Sequence, residues 1–159
     1  MIVSISTTVL FLNLTIPGRL YIKFDCTNLY GYEEALEKAK AQHPTEAVAT
    51  LHRRLCEDID FTYDIGFIAY EFIRFPEDEN HDEPGWLFDY DSVMMYDSTK
   101  GADDAEECEF NMNYCPLLKY QTTWFGSPIY TLPMERIHAK TFPSYGDAKF
   151  VHRVYAWES

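Results

Sequence analysis

The side chains whose types and spacing could support chemistry are five histidines, four cysteines and two dense carboxylate clusters. The histidines stand at His43, His52, His81, His138 and His152. Two imidazoles one helical turn apart can present both nitrogens to a single ion, and a glutamate between them can act as general base. No two of these histidines lie three or four residues apart, so no helix of this chain carries such a pair. His52 and Cys56 are four apart and share a helical face, a spacing that permits chelation. The expected arrangement there is nonetheless one exposed histidine beside a structural cysteine, and no metal site is predicted.

The carboxylates read as solvated surface. Glu77 to Gly85 surrounds His81 with acidic groups but lacks the Asp-x-Asp-x-Asp-Gly spacing of a calcium loop. Asp103-Asp104-Ala105-Glu106-Glu107 brings carboxylates close together, as a glycosidase requires. On an exposed loop they lack the low-dielectric pocket that would separate their pKa values. There is no Gly-x-Ser-x-Gly elbow, phosphate-binding glycine loop or dinucleotide fingerprint.

Cys26, Cys56, Cys108 and Cys115 form an even set without C-x-x-C spacing. Three pairings can be drawn. The pattern suits a Cys26–Cys56 bridge joining the ends of a helical region and a Cys108–Cys115 bridge closing a short loop. Each would stabilise by roughly 2–4 kcal/mol and imply an oxidising compartment, hence a secreted protein. The alternative is four buried thiols in a cytosolic protein.

The most distinctive stretch is Phe88-Asp89-Tyr90-Asp91-Ser92-Val93-Met94-Met95-Tyr96, an aromatic and acidic run that drops into a short apolar core segment. It resembles the Met-turn of astacin-like zinc metallopeptidases, close to Tyr-Asp-Tyr-x-Ser-[Ile/Val]-Met-His-Tyr. The resemblance implies that Ser92 and Met94 are structural, with Met94 an apolar floor beneath the metal ligands. It implies that Tyr96 is the switch tyrosine that stabilises the oxyanion. Met95 stands where the family has histidine. Two further segments are similar to fungal members of that family. One is the strand-like Tyr21 to Cys26, and the other is the terminal run from Pro143 through Ser144, Gly146 and Asp147 to Trp157. Together they cover about Arg19 to Trp157.

In the intact family a His-Glu-x-x-His-x-x-Gly-x-x-His helix holds zinc, which polarises the scissile carbonyl and activates water. That helix is missing here, so no cofactor is expected in this chain, and Tyr96 has no metal to serve. The family's partner is a peptide or protein substrate.

At 159 residues the chain is long enough for one domain with a core, and 47% apolar and 16% aromatic content argues against disorder. Its 26 acidic and 13 basic residues give a net charge of −13, which repels nucleic acid and anionic membrane. Residues 1–18 are an apolar segment, signal-like or a non-native start, too short and polar to span a membrane. Within it, Asn13-Leu14-Thr15 matches a glycosylation acceptor. Residues 19–159 are then a single lobe.

Periodicity predicts a helix over Glu33 to Gln42 with Ala35, Leu36 and Ala39 inward. A second helix is expected to open at Pro44 and bury Val48, Leu51, Leu55 and Ile59. Phe67 to Phe75 is core, as strand or helix, and Trp124, Phe125 and Tyr130 are expected to be core as well. A last helix is capped by Ser144, with Phe150, Val151, Val154 and Tyr155 on its apolar face. The fold class is α+β, mainly helical with long loops, resembling the C-terminal lobe of a metzincin.

Two functions follow. One is a truncated or degenerate astacin-like metalloendopeptidase without activity as this chain, its uncovered apolar surface inviting self-association. The other is a secreted, non-catalytic binding domain.

Overall fold

The computed structural model describes residues 21–73 and 88–154. The N-terminal segment with Asn13, the loop around His81, and Tyr155 and Trp157 lie outside the described residues. The protein is α+β. Strand β1 (Ile22–Phe24) is followed by helices α1 (Tyr32–Gln42), α2 (Val48–Glu57) and α3 (Ile59–Ile65), and then by a 3-10 turn at Ile68–Glu71. After the Phe88–Tyr96 stretch come α4 (Ala105–Phe110), β2 (Leu117–Lys119), the hairpin strands β3 (Gln121–Thr122) and β4 (Pro128–Ile129), and α5 (Tyr145–Val154).

Strand β1 pairs antiparallel with β2, Lys23 opposite Leu118, so a crossover of more than ninety residues is closed by two short edges. The main core lies on the helical side of that pair. Leu29, Tyr32, Ala35, Leu36 and Ala39 pack against Leu51, Leu55, Phe61, Ile65, Phe67 and Ala69. Leu51 and Leu55 are wholly buried, each worth about 1.5–3 kcal/mol of transfer free energy. A smaller cluster gathers Cys108, Cys115 and Leu118.

Helix α1 follows the predicted stripe, opening after Gly31, which takes φ 80°. Glu33 and Glu34 lie in its first turn and Lys40 in its last, favourable for the helix dipole. The second helix differs from expectation. Pro44 does not open it but occupies the second position of a turn in which Glu46 N donates to His43 O at 3.1 Å, where the fixed proline φ also fits. The helix begins at Val48, whose side chain is exposed.

Ile59 belongs to a separate helix because Asp58 is extended, at φ −111° and ψ 104°, and its carboxylate accepts from Phe61 N at 3.0 Å. That cap breaks one apolar stripe into two helices. Phe67 to Ile73 is core as expected, in 3-10 form rather than strand or α-helix.

Both predicted disulfides are present. Cys26–Cys56 ties the turn after β1 to the last turn of α2, with Cα atoms 5.4 Å apart. Cys108–Cys115 closes the α4 loop, with Cα atoms 4.9 Å apart.

Three aromatic expectations are corrected. Trp124 is 94% exposed, Phe125 is 81% exposed and Tyr130 is more than half exposed. Trp124 and Phe125 are the two corner residues of the β3–β4 turn, where Gly126 N donates to Thr123 O and Thr123 N donates to Ser127 O. Gly126 takes φ 79°, and the turn carries both rings away from the core. On α5, Phe150 and Val151 are half-exposed, because the helix docks through the polar groups of its first turn. The Asp103 to Glu107 stretch is exposed, but it forms the start of α4. Asp104 caps that helix by accepting from Glu107 N at 2.8 Å.

Candidate functional site

A cleft of about 830 Å³ lies where β1, the end of α2, the turn at 68–73 and the Met-turn-like stretch meet. Met94, Met95 and Tyr96 line one side, and His52 and the Cys26–Cys56 disulfide line another. Lys23, Asp25, Glu57 and Glu71 also line it; Lys23 pairs with Asp25 at 3.2 Å, and the two glutamates leave the lining net acidic.

An aromatic chain carries the stretch onto the core. Phe24 stacks on Phe72 at 5.7 Å with rings 9° apart, and Phe72 meets Tyr96 at 5.4 Å. At the other end Phe88 stacks on Tyr21 at 5.0 Å. The Tyr90 hydroxyl donates to the carbonyls of Tyr21 and Tyr120, bridging β1 and the segment after β2. Burial, followed by the neighbouring phenols Tyr21 and Tyr130, pushes the Tyr90 phenol up to about 12, so it remains a donor across the physiological range.

The stretch is latched to α5 by a closed polar network. Ser92 Oγ donates to Asp147 Oδ1 at 2.6 Å, and Val93 N donates to Asp147 Oδ2 at 2.9 Å. Ser144 N donates to that same Oδ2, while Asp147 N donates back to Ser144 Oγ, both at 2.9 Å. Ser144 Oγ in turn donates to Asp89 Oδ2 at 2.5 Å, and Met94 N donates to Ser92 Oγ at 3.1 Å. The Ser92 hydroxyl and the two backbone amides hold the Asp147 carboxyl down to about 2. Gly146 is a steric condition of the latch: a Cβ there would lie 2.2 Å from Asp89 Oδ2. Lys140 adds an ion pair to Asp91 at 2.6 Å.

Ser92 is half-buried inside the latch. Tyr96 is 40% exposed on the cleft wall, with Lys100 Nζ 5.7 Å from its ring centre. Met94 is 82% exposed at the cleft and Val93 is exposed, so the segment expected to drop into the core runs along the surface. Turning at 88–96 leaves the Asp89 carboxylate and the Ser92 hydroxyl facing the start of α5, while Met94, Met95 and Tyr96 line the cleft. Cys26 and Cys56 lie at the cleft, whereas Cys108 and Cys115 are buried in the smaller core.

The described histidines do not converge. His43 pairs with Glu46 at 3.2 Å beside Phe61, and His138 and His152 are exposed. His52 alone of the described histidines reaches the cleft, its Nδ1 2.7 Å from the Tyr32 hydroxyl. Among the described residues a single group of three donors has metal-ligand spacing. Cys26, His52 and Cys56 lie with their ligand atoms within 4.8 Å of one another.

With both sulfurs joined in a disulfide, that corner offers one imidazole. No three histidines gather among the described residues. Spacing pairs His52 with Cys56 and the favoured disulfide pairs Cys56 with Cys26, but neither pattern brings His52 beside Cys26. Asp147 is legible in the sequence as a helix-capping partner alone. Among the described residues no helix is long and apolar enough to cross a membrane. Comparison with protein-family models, curated proteins and solved structures finds no match.

Proposed function

We propose that this chain is an astacin-like C-terminal lobe that does not hydrolyse peptide bonds by itself. The supporting observation is the latch. Two segments that separately resemble the same family, Phe88–Tyr96 and the run from Pro143, are joined through Asp147, Ser92, Ser144 and Asp89 beside an open cleft. Tyr96 lines that cleft, compatible with the role the resemblance implies for it, and among the described residues the group with metal-ligand spacing is Cys26, His52 and Cys56. Removing one oxyanion donor from a working hydrolase costs roughly 3–4 kcal/mol, but a donor by itself does not activate the attacking water. The two disulfides support a secreted location.

The cleft favours a second reading, a secreted peptide-binding domain. Phe24, Phe72, Met94 and Met95 offer aromatic and thioether surface, and Asp25, Glu57 and Glu71 select against acidic peptides. Nucleic acid and anionic membrane are poor partners for a chain of net charge −13.

Incubation of the oxidised chain with Zn²⁺ and unfolded casein is expected to leave the casein intact. A fluorescent Lys- and Leu-rich peptide is expected to bind, and Phe72→Ala to weaken that binding. Zinc-dependent cleavage that disappears in Tyr96→Phe would overturn the inactive-lobe reading, and absence of peptide binding would overturn the second.

A further inference from the structure

We propose that reduction of the Cys26–Cys56 disulfide turns the corner of the cleft into a three-ligand site for a thiophilic divalent cation such as Zn²⁺, with His52 as the nitrogen ligand. This inference is independent of the peptidase-like reading, since it uses none of the Met-turn residues. The three ligand atoms already lie within 4.8 Å of one another. Tetrahedral zinc with Zn–S of about 2.3 Å and Zn–N of about 2.0 Å separates its ligand atoms by roughly 3.5–3.8 Å. Cys56 Sγ stands 3.8 Å from His52 Nδ1 and 4.0 Å from Nε2, so this pair already spans about the distance required. Cys26 completes the set by side-chain rotation once the S–S bond opens.

The scaffold is prepared for this. His52 and Cys56 are one turn apart on α2, whose adjacent face is anchored by the wholly buried Leu51 and Leu55. Cys26 begins a 3-10 turn that is pinned on its N-terminal side, where Asp25 N donates to Pro116 O at 2.8 Å. Neither anchor depends on the disulfide. The buried Tyr32 hydroxyl lies 2.7 Å from His52 Nδ1. With Nδ1–H donating to that oxygen, Nε2 is the lone-pair nitrogen, which is how outer-shell partners orient ligating histidines. All three ligands line the cleft, so a fourth position is left for water or a small ligand. Cys108–Cys115 has no third donor of this kind among the described residues.

The chemistry balances with a thiol reductant. Two monothiols, or one dithiol, supply two electrons and two protons; they become a disulfide while Cys26 and Cys56 become thiols. Zn²⁺ then displaces the two protons and is held by two thiolates and neutral His52. The structural staple of the oxidised chain thus becomes a metal staple in the reduced one.

The full chain, oxidised and reduced, is titrated with Zn²⁺ against a chromophoric chelator and with Co²⁺ as a spectroscopic probe. The oxidised chain is expected to retain no metal. The reduced chain is expected to take up a single equivalent and to show thiolate-to-cobalt charge-transfer bands. His52→Ala, which removes a direct ligand, should weaken uptake by more than the roughly tenfold to hundredfold that loss of an outer-shell partner costs. Zn²⁺ should also raise the melting temperature of the reduced chain and leave that of reduced His52→Ala unchanged. The disulfide keeps oxidised His52→Ala stapled, so its circular dichroism separates a folding defect from a lost ligand. Absence of uptake by the reduced chain, or equal affinity in folded His52→Ala, would overturn the proposal.

Discussion

Asp147 decides how the Phe88–Tyr96 stretch is held, although it belongs to another element 51 residues beyond Tyr96. Its two oxygens accept one hydroxyl and two backbone N–H groups, and those three bonds favour the ionised form. A carboxyl depressed from 3.8 to about 2 stabilises the folded state fully above its ordinary value, and that contribution is lost as pH falls through about 2. Hydrogen exchange at the Val93 and Met94 amides, corrected for intrinsic rates, is expected to be flat above about pH 4 and to accelerate as the carboxyl protonates. Asp147→Asn should reproduce the accelerated exchange at neutral pH; unchanged protection in that variant would remove the latch from the account. Local sequence made Ser144 and Asp147 legible as a helix-capping pair, and Ser92 was legible through the resemblance. That one carboxylate serves both segments was not, because a hydrogen bond across 55 residues leaves no local pattern.

Helix α5 approaches the stretch closely enough that a single methyl group matters. Gly146 is in ordinary helical backbone, where alanine is favoured over glycine by about 1 kcal/mol. Against this, the added Cβ would meet Asp89 Oδ2 at 2.2 Å and Cγ at 3.1 Å. Asp89 cannot swing aside freely, since its carboxylate accepts the Ser144 hydroxyl at 2.5 Å. The clash wins, and Gly146→Ala is expected to destabilise by about 1–3 kcal/mol in a thermal or urea melt. Adding Asp89→Ala should recover part of that loss, a positive coupling that a double-mutant cycle reads directly. Simple additivity would mean that the helix and the stretch do not touch. The same scale explains the α2 discrepancy: the spacing of Val48, Leu51, Leu55 and Ile59 suits one helix, yet Asp58 caps a new one. Periodicity registers which positions face inward. It does not register a competing cap when the next apolar residue keeps the same rhythm.

For the whole molecule two opposed surface properties set behaviour in solution. A net charge of −13 keeps copies apart, while Trp124 and Phe125 project from one hairpin tip as apolar surface. Charge repulsion is screened over about 10 Å at 0.1 M ionic strength and over about 3 Å at 1 M, whereas apolar association persists. Sedimentation is therefore expected to show a monomer at low salt and self-association on raising salt and concentration. Trp124→Ser with Phe125→Ser should abolish that association; a monomer under all conditions would exclude the tip as a contact. What the sequence by itself determined was the α+β class, the α1 stripe, the disulfide partners it favoured, the burial of Leu51 and Leu55 on α2 and the core character of the 67–73 run. These follow from residue type and short-range spacing, which act before the chain has folded. Only the tertiary structure decided that Trp124 and Phe125 stay outside, that His52 joins Cys26 as well as Cys56, and that Asp147 closes on Ser92. A turn's direction and a contact between distant segments depend on where the whole backbone goes, and no local stretch carries that information.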